Sequence, residues 1–156
     1  MPRSPFSTDV LIRFSHSDPA GIVYYPNYFD MFNALIEDWF GQALERNYAD
    51  EILVHRRGLP TVHAECDFFI PSRMGDTLTM TLLVRDIGRS SLKLAIHGHC
   101  GAEERLRANL VLVLITLDTG RSCAIADDLR RRFAAYRAAH DGWRLGDTPR
   151  NFAFNH

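Results

Sequence analysis

The sequence predicts an α+β domain in which one long central helix is wrapped by a curved, five-stranded antiparallel sheet. Three observations support this prediction: a short alternating segment comes first, a long amphipathic segment follows, and four more alternating segments are then joined by short turns. Short turns between strands indicate antiparallel neighbours. A length of 156 residues favours one domain, which we place at residues 1–139, with residues 140–156 as a tail packed on or near it.

The first strand and the bend after it are predicted from residues 10–28. Val10, Ile12 and Phe14 alternate with other side chains, which is typical of a half-buried strand over residues 10–14. A bend follows at residues 18–21, because proline keeps the preceding residue out of the α region and glycine permits a tight backbone path. Pro26 suits the first turn of a helix, where its missing N–H is not needed.

Residues 29–44 have apolar side chains at spacings of three and four, which predicts a helix with one broad aromatic face. That face is Phe29, Phe32, Leu35, Ile36, Trp39, Phe40, Ala43 and Leu44. Such a broad apolar stripe indicates a helix nearly enclosed by a sheet. Residues 47–58 show no clear period, so we expect an irregular segment or a frayed helix end.

Four strands are predicted in the middle of the chain, at residues 62–68, 77–84, 91–97 and 110–117. The first three alternate, whereas residues 110–117 are almost continuously apolar, as expected for a central strand buried on both faces. A second, more polar helix is predicted for residues 127–139, starting with aspartate. The tail that follows is predicted to be a loop, pinned by its aromatic side chains at Trp143, Phe152 and Phe154.

Composition narrows the functional classes. A formal net charge of −1 provides no field for nucleic acid or an anionic membrane, and no apolar run approaches the ~20 residues that span a bilayer. The first residues contain no apolar core of a signal peptide. The three cysteines form no CxxC pair, so we expect reduced thiols in small core positions and a cytoplasmic protein.

The stretch H-S-D-P-A-G-I-V-Y-Y-P-N-Y at residues 16–28 places Asp18 at a bend that leads directly into the long helix. A carboxylate facing the amino end of a buried helix can hydrolyse an ester, because unpaired N–H groups there favour negative charge. Residues 18–28 resemble the signature of the 4-hydroxybenzoyl-CoA thioesterase family, whose fold is the hotdog fold. The order of elements extends the likeness over residues 10–133.

This resemblance implies an acyl-CoA thioesterase that acts on aromatic or short acyl groups and needs no cofactor. Asp18 would be the nucleophile or the general base, and the backbone N–H of Tyr25 would bind the oxyanion. In the family, basic residues at the turn matching residues 87–92 often contact coenzyme A, which here selects Arg89 with Ser90. The family also implies homodimers or homotetramers with active sites at the subunit interface.

Less specific interpretations remain open for several residues. Asp18 can be a turn residue, His16 and Tyr24 can contact substrate or be ordinary loop and core side chains, and Glu37 with Asp38 can be a solvated helix face or a second carboxylate site. His97 and His99 share a strand face, as do His63, Glu65 and Asp67, but no third ligand has a diagnostic metal spacing. We therefore expect an exposed sheet face and no metal.

The arginines at positions 105, 107 and 130–132 are expected on the solvated surface, with coenzyme A phosphates as an alternative partner. Two functions from other classes also remain open. One is a non-catalytic module that binds acyl-CoA or an acyl carrier on the same fold. The other is a dehydratase or hydratase, which usually needs a histidine–carboxylate pair in a differently placed loop.

Overall fold

The computed structural model describes residues 4–145, and its elements follow the predicted order. The strands and helices are β1 (Ser7–Leu11), α1 (Pro26–Gln42), α2 (Tyr48–Leu53), β2 (Arg57–Gly58), β3 (Thr61–Phe68), β4 (Thr77–Ile87), β5 (Ser91–Cys100), β6 (Glu103–Val113), β7 (Ile115–Thr116) and α3 (Asp127–Ala139). A 3-10 helix, Phe14–His16, lies between β1 and α1.

The main sheet has five strands in the order β1-β4-β5-β6-β3, and β2 and β7 form a separate two-stranded sheet. Every pairing in the main sheet is antiparallel. The prediction of a five-stranded antiparallel sheet around a long helix is therefore confirmed. Because β4 joins β1 on one side and β5 on the other, β1 and β3 are the two edges.

Helix α1 supplies the centre of the hydrophobic core. Its face toward the sheet is buried over its whole length, whereas Asp30, Asn33, Glu37 and Asp38 are exposed on the other side. The buried side chains are Tyr28, Met31, Phe32, Leu35, Ile36, Trp39 and Phe40. Each such side chain contributes about 1.5–3 kcal/mol on burial. This face fixes α1 on the sheet and thereby fixes the position of its first turn.

Helix α3 packs beside α1 and against β4. The Phe133 ring stacks on the Trp39 ring with centroids 5.6 Å apart. The Tyr136 hydroxyl donates to the carbonyl oxygen of Leu82 at 2.5 Å and accepts from the N–H of Phe6 at 2.9 Å. Burial raises the pKa of Tyr136. One phenol thus joins the N-terminal segment, β4 and α3.

The opposite edge, β3, is exposed on both faces. Val62 and Phe68 retain 60% and 47% of their exposure, although the alternation of residues 62–68 predicted an inward-facing set. Cys66 is half-buried in the middle of this strand, and burial raises the pKa of its thiol to about 11. Since β3 pairs only with β6 in the described residues, its outer backbone groups face away from the sheet.

Two predicted boundaries were wrong near the ends of α1. Phe14 is 83% exposed, because β1 ends at Leu11 and the chain turns into the 3-10 helix. Residues 47–58, predicted as an irregular segment or a frayed helix end, contain the separate elements α2 and β2. The Asn47 side chain caps α2 by accepting from the N–H of Asp50 at 3.3 Å, and a six-residue helix is too short to show a period.

The prediction for residues 110–117 was also wrong in detail. Strand β6 begins at Glu103, and its side chains alternate, with Leu106, Ala108, Leu110 and Leu112 buried. The outward side chains of Val111 and Val113 are half-buried, which gives the sequence its continuous apolar appearance. The chain then leaves the main sheet to form β7 with β2.

The chain after α3 crosses to the outer face of the sheet. Trp143 is 4% exposed and packs there against Leu83 and Ala95. Phe152 and Phe154, the other two predicted anchors, lie outside the described residues. Among the residues that the structure describes, no helix is both long enough and apolar enough to cross a membrane.

Candidate active site

The Asp18 bend is a closed turn held by three hydrogen bonds. The N–H of Asp18 donates to the carbonyl of Ile22 at 2.8 Å, and the N–H of Gly21 donates back to the carbonyl of Asp18 at 2.9 Å. The N–H of Ala20 donates to Oδ1 of Asp18 at 2.8 Å. Gly21 has φ +76, a conformation that a side chain would strain.

This turn is attached to the loop between β3 and β4. Ile22 pairs with Arg73 in an antiparallel bridge, and the N–H of Val23 donates to the carbonyl of Ser72 at 2.9 Å. Ser72 is fully buried. The half-buried Asp18 carboxylate is therefore fixed through Oδ1, while Oδ2 has no hydrogen-bond partner within residues 4–145.

The first turn of α1 leaves one backbone donor free. The N–H of Tyr24 donates to the carbonyl of His16 at 2.9 Å, and the N–H groups of Asn27 and Tyr28 bond to the carbonyls of Tyr24 and Tyr25. Pro26 has no N–H. In the described part of the chain, the N–H of Tyr25 has no acceptor. This donor lies at the positive end of the α1 dipole, where an anion is stabilised.

His16 contributes to the turn through both its backbone and its ring. Its carbonyl accepts from the Asn27 side-chain amide at 2.8 Å as well as from the backbone. Its ring Nδ1 accepts from the N–H of Arg13 at 3.0 Å, which leaves Nε2 as the protonated nitrogen of the neutral ring. The His16 backbone thus supports the start of α1 directly.

Aromatic side chains surround the start of α1 on the surface. Tyr24 and Tyr25 are 53% and 60% exposed, so neither is a core residue. The Tyr25 ring lies 6.3 Å from the Phe68 ring, and Phe68 in turn stacks on Tyr28 at 5.5 Å. An exposed aromatic cluster beside a fixed carboxylate is a surface that a flat apolar group can contact.

Arg89 and Ser90 lie at the other end of the sheet from Asp18. The Asp18 turn contacts the loop that precedes Thr77, whereas Arg89 follows Ile87 at the far end of β4. Ten residue steps along a strand separate these ends by about 30 Å. The turn at Arg89 is tied to α3, because Arg130 donates to the carbonyls of Gly88 and Arg89 at 2.8 and 3.0 Å. One chain therefore does not bring Arg89 to Asp18.

The histidines considered as metal ligands are in different surroundings. His97 and His99 are 7% and 4% exposed, so the expectation of an exposed sheet face was wrong for them. His99 bonds to the Gly101 carbonyl at 2.8 Å and contacts the Thr81 hydroxyl at 3.3 Å. The His97 ring lies 5.9 Å from the Trp143 ring. Within residues 4–145, no three histidine, cysteine or acidic side chains are grouped to hold a metal ion.

Glu37 and Asp38 lie on the exposed face of α1. Glu37 lines a cavity of about 250 Å³ together with Asn33, Ile36, Tyr48, Leu59 and Leu112. Burial, and secondarily the Glu37 charge, raises the pKa of Tyr48. From Tyr25 to Glu37 the helix rises about 18 Å, so this carboxylate is remote from the Tyr25 N–H of its own chain.

Comparisons with known proteins agree with this fold. Residues 12–133 match the model of the Thioesterase-like superfamily. A 1,4-dihydroxy-2-naphthoyl-CoA hydrolase of Prochlorococcus marinus (strain NATL2A) is 28% identical over 127 residues, which cover 76% of this chain and 80% of the relative.

Two solved structures have the same fold. Slr0204, a 1,4-dihydroxy-2-naphthoyl-CoA thioesterase from Synechocystis, superposes with a TM-score of 0.75 at 23% identity, covering 83% of this chain and 95% of that one. SAV2348 from Staphylococcus aureus, solved in complex with CoA, gives a TM-score of 0.78 at 18% identity, covering 89% and 87%. The family match extends from Ile12 to Phe133 and includes the Asp18 turn, α1 and the whole of β3 to β6. The chain therefore belongs to the thioesterase-like superfamily of hotdog-fold proteins.

Proposed function

We propose that this protein hydrolyses an acyl-CoA thioester with a small, hydroxylated aromatic acyl group. One observation carries the proposal: the half-bonded Asp18 carboxylate lies in the turn that leads directly to the unbonded N–H of Tyr25. The relatives named above act on dihydroxynaphthoyl-CoA, and the exposed aromatic rings of Tyr24, Tyr25 and Phe68 offer a matching surface. The reaction needs no cofactor, since coenzyme A is part of the substrate.

In the proposed reaction, Oδ2 of Asp18 acts while Oδ1 is held by the N–H of Ala20. As general base, Asp18 takes a proton from water as the water oxygen bonds to the carbonyl carbon. As nucleophile, it bonds to that carbon itself and gives a mixed anhydride, which water then hydrolyses. In either route the Tyr25 N–H stabilises the oxyanion, the carbon–sulfur bond breaks, and coenzyme A leaves as a thiolate that takes up a proton.

Removing the single oxyanion donor of such a site typically costs about 2.7–4 kcal/mol in the barrier. The absence of an N–H on Pro26 leaves Tyr25 as the donor nearest the start of α1 that is free to perform this role. His16 supports the geometry because its carbonyl holds the N–H of Tyr24. A role for the His16 ring and for Tyr24 in substrate contact remains part of the proposal.

We also propose that two chains pair through their β3 edges. Val62 and Phe68 lie near opposite ends of β3 and are both exposed, and a free apolar edge strand favours pairing with another strand. A two-fold axis at the middle of β3 would make the two strands antiparallel. The apolar residues Leu53 and Val54, 72% and 66% exposed, would then face the aromatic end of the second chain.

This pairing gives Arg89 and Ser90 a role in the proposed site. In an antiparallel pair, the far end of the second chain's sheet comes to the same end as Asp18 of the first chain. Arg89 of the second chain would then lie on the side of the assembly where coenzyme A enters. The proposed homodimer, or a tetramer built from it, is thus the arrangement in which the predicted set of site residues can act together.

The test is release of free thiol from a panel of CoA esters that differ in ring number and hydroxylation. We expect Asp18→Asn and Asp18→Ala to lower kcat by about 10²–10⁴-fold, with a melting temperature close to that of the wild type. Asp118→Asn, which removes a charge from an exposed ion pair with Arg56, is the matched control. Wild-type turnover in both Asp18 variants would show that Asp18 is not catalytic.

One observation favours a second candidate, a module that binds acyl-CoA without cleaving it. The bond between Oδ1 of Asp18 and the N–H of Ala20 is one that an aspartate with a purely structural turn role also makes. This candidate predicts saturable binding of a CoA ester with no thiol release. Calorimetry and thiol detection on the same ester therefore separate the two functions.

A further inference from the structure

Two arginines beside the Asp18 turn have guanidinium groups without a protein partner. Arg13 and Arg73 are both exposed, and neither guanidinium forms an ion pair or hydrogen bond to another residue in the range 4–145. Their backbones are nevertheless fixed. The N–H of Arg13 bonds to the His16 ring, and the N–H of Arg73 donates to Oδ2 of Asp76 at 2.9 Å.

Four of the later arginines already bond to other groups of the protein. Arg105 pairs with Asp76 at 3.1 Å and with Glu103 at 2.6 Å, and Arg107 pairs with Glu104 at 2.8 Å. The arginines at positions 130 and 132 donate to backbone carbonyls of Gly88, Arg89 and Leu44. These cations already have partners, so binding a substrate anion would require breaking existing contacts.

The backbone places both free arginines next to Asp18. Arg73 is bridged to Ile22, and Ile22 accepts from the N–H of Asp18 at 2.8 Å. Each of these two backbone pairings spans about 5 Å, so the Arg73 backbone lies about 10 Å from that of Asp18. The Ser17 hydroxyl donates to the carbonyl of Arg13 at 2.9 Å, and Ile12, the residue before Arg13, exchanges backbone hydrogen bonds with Gly75 and Asp76 at 2.8 Å. The two guanidinium groups therefore start from backbone segments that both adjoin one short turn.

We propose that Arg13 and Arg73 bind the phosphate groups of coenzyme A in the chain whose Asp18 cleaves the thioester. This inference rests on the function proposed above. Arginine binds phosphate through parallel charge-assisted hydrogen bonds. Asp76, which accepts from the N–H of Arg73, already bonds through Oδ2 to the Arg105 guanidinium, so its charge is already paired. In coenzyme A, the pantetheine arm separates the phosphate groups from the reacting carbonyl, so the two ends of the substrate contact different residues.

The experiment compares two thioesters of the same acyl group, one of coenzyme A and one of N-acetylcysteamine, which has no phosphate. For Arg73→Gln and Arg13→Gln, we expect KM for the CoA ester to rise about tenfold each, with kcat unchanged. KM for the N-acetylcysteamine ester should not change. Arg121→Gln, at an exposed arginine outside this turn, is the control for a simple loss of surface charge.

An equal rise in KM for both esters, or no rise in either, would overturn the inference. It would also be overturned if Arg89→Gln alone raised KM for the CoA ester and the double variant Arg13→Gln/Arg73→Gln did not. Calorimetric binding of coenzyme A and of pantetheine, which lacks the nucleotide phosphates, distinguishes this failure from failure of the proposed function. If no ester is hydrolysed, the arginine site is still supported when the double variant binds coenzyme A more weakly and pantetheine as tightly as the wild type does. Unchanged binding of coenzyme A refutes the site.

Discussion

The two ends of the main sheet differ in whether their polar groups have partners within the protein. At the end near α2, which we call the anchored end, Glu51 is 5% exposed and binds Arg46 at 2.6 Å and Arg57 at 2.8 Å. Arg46 also contacts Asp128 of α3. At the other end, which we call the open end, the Tyr25 N–H and one Asp18 oxygen have no partner within residues 4–145.

This difference separates the residues that hold the fold from those that are available for chemistry. Buried charges are costly unless they are paired, and each Glu51 oxygen has a guanidinium partner. Unpaired groups at the open end can bind a substrate without first breaking contacts within the protein. The ion-pair network around Glu51 therefore lies at one end of α1, and the proposed catalytic groups lie at the other.

The largest expected change in stability comes from the anchored end. Glu51→Gln leaves Arg46 and Arg57 without their buried carboxylate, so we expect the free energy of unfolding to fall by about 3–5 kcal/mol. Activity per folded molecule should stay the same. Urea unfolding measures the change, and Asp118→Asn, in an exposed ion pair with Arg56, is the control. A loss of activity without a loss of stability would contradict the proposed division.

The second prediction concerns the two edges of the sheet. Val62 lies on the free edge strand β3, so Val62→Lys should weaken self-association by about tenfold or more, because a charged lysine on an edge strand opposes pairing with another strand. Leu11→Lys, at a 47% exposed position on the opposite edge strand β1, should leave the oligomer intact. Light scattering over a range of concentrations measures both. Unchanged mass for Val62→Lys would exclude β3 pairing.

The smallest effect is expected from the outer face of the sheet. Burial, in which the Trp143 ring takes part, lowers the pKa of His97. The positive charge of Arg107 also lowers this pKa, and the Glu104 carboxylate opposes the shift. The unfolded chain then binds more protons than the folded one. Stability is therefore highest above the unfolded pKa near 6.5 and is lost as pH falls toward the lower folded pKa.

Thermal unfolding across pH 5 to 8 tests this dependence. His97→Gln should flatten the part of the profile below the unfolded pKa of histidine, because glutamine does not titrate. The variant His63→Gln, which changes a histidine that is 61% exposed, should leave the profile as in the wild type. An identical acid-side slope in His97→Gln and wild type would mean that other groups cause it.

The sequence was sufficient for the elements whose pattern is long and regular. The spacing of Phe32, Ile36 and Phe40 predicted α1, and the second helix was placed at Asp127–Ala139, as the structure has it. Helix α2 was not distinguished from an irregular segment or a frayed helix end, because six residues show no period. The start of β6 was missed although Arg105 and Arg107 alternate with the buried Leu106 and Ala108, as in a half-buried strand.

Burial was the other quantity that the sequence could not give. His97 and Trp143 are far apart in the chain, so no local pattern indicates that one covers the other. The turn at Asp18 was predictable because proline and glycine fix it locally, whereas the separation between Asp18 and Arg89 follows from the length of β4. Arg13 and Arg73 come together at the turn through contacts between segments that are distant in sequence: the bridge between Ile22 and Arg73 and the backbone hydrogen bonds of Ile12 with Gly75 and Asp76.

The central claim is most directly tested by a crystal structure of the Asp18→Asn variant with an intact hydroxyaryl-CoA ester bound. We predict the thioester oxygen at about 2.7–3.1 Å from the Tyr25 nitrogen and the carbonyl carbon at about 3–3.5 Å from a side-chain atom of residue 18 or from a water bonded to it. A bound ester whose carbonyl lies away from the start of α1, with residue 18 still contacting only its own turn, would contradict the account.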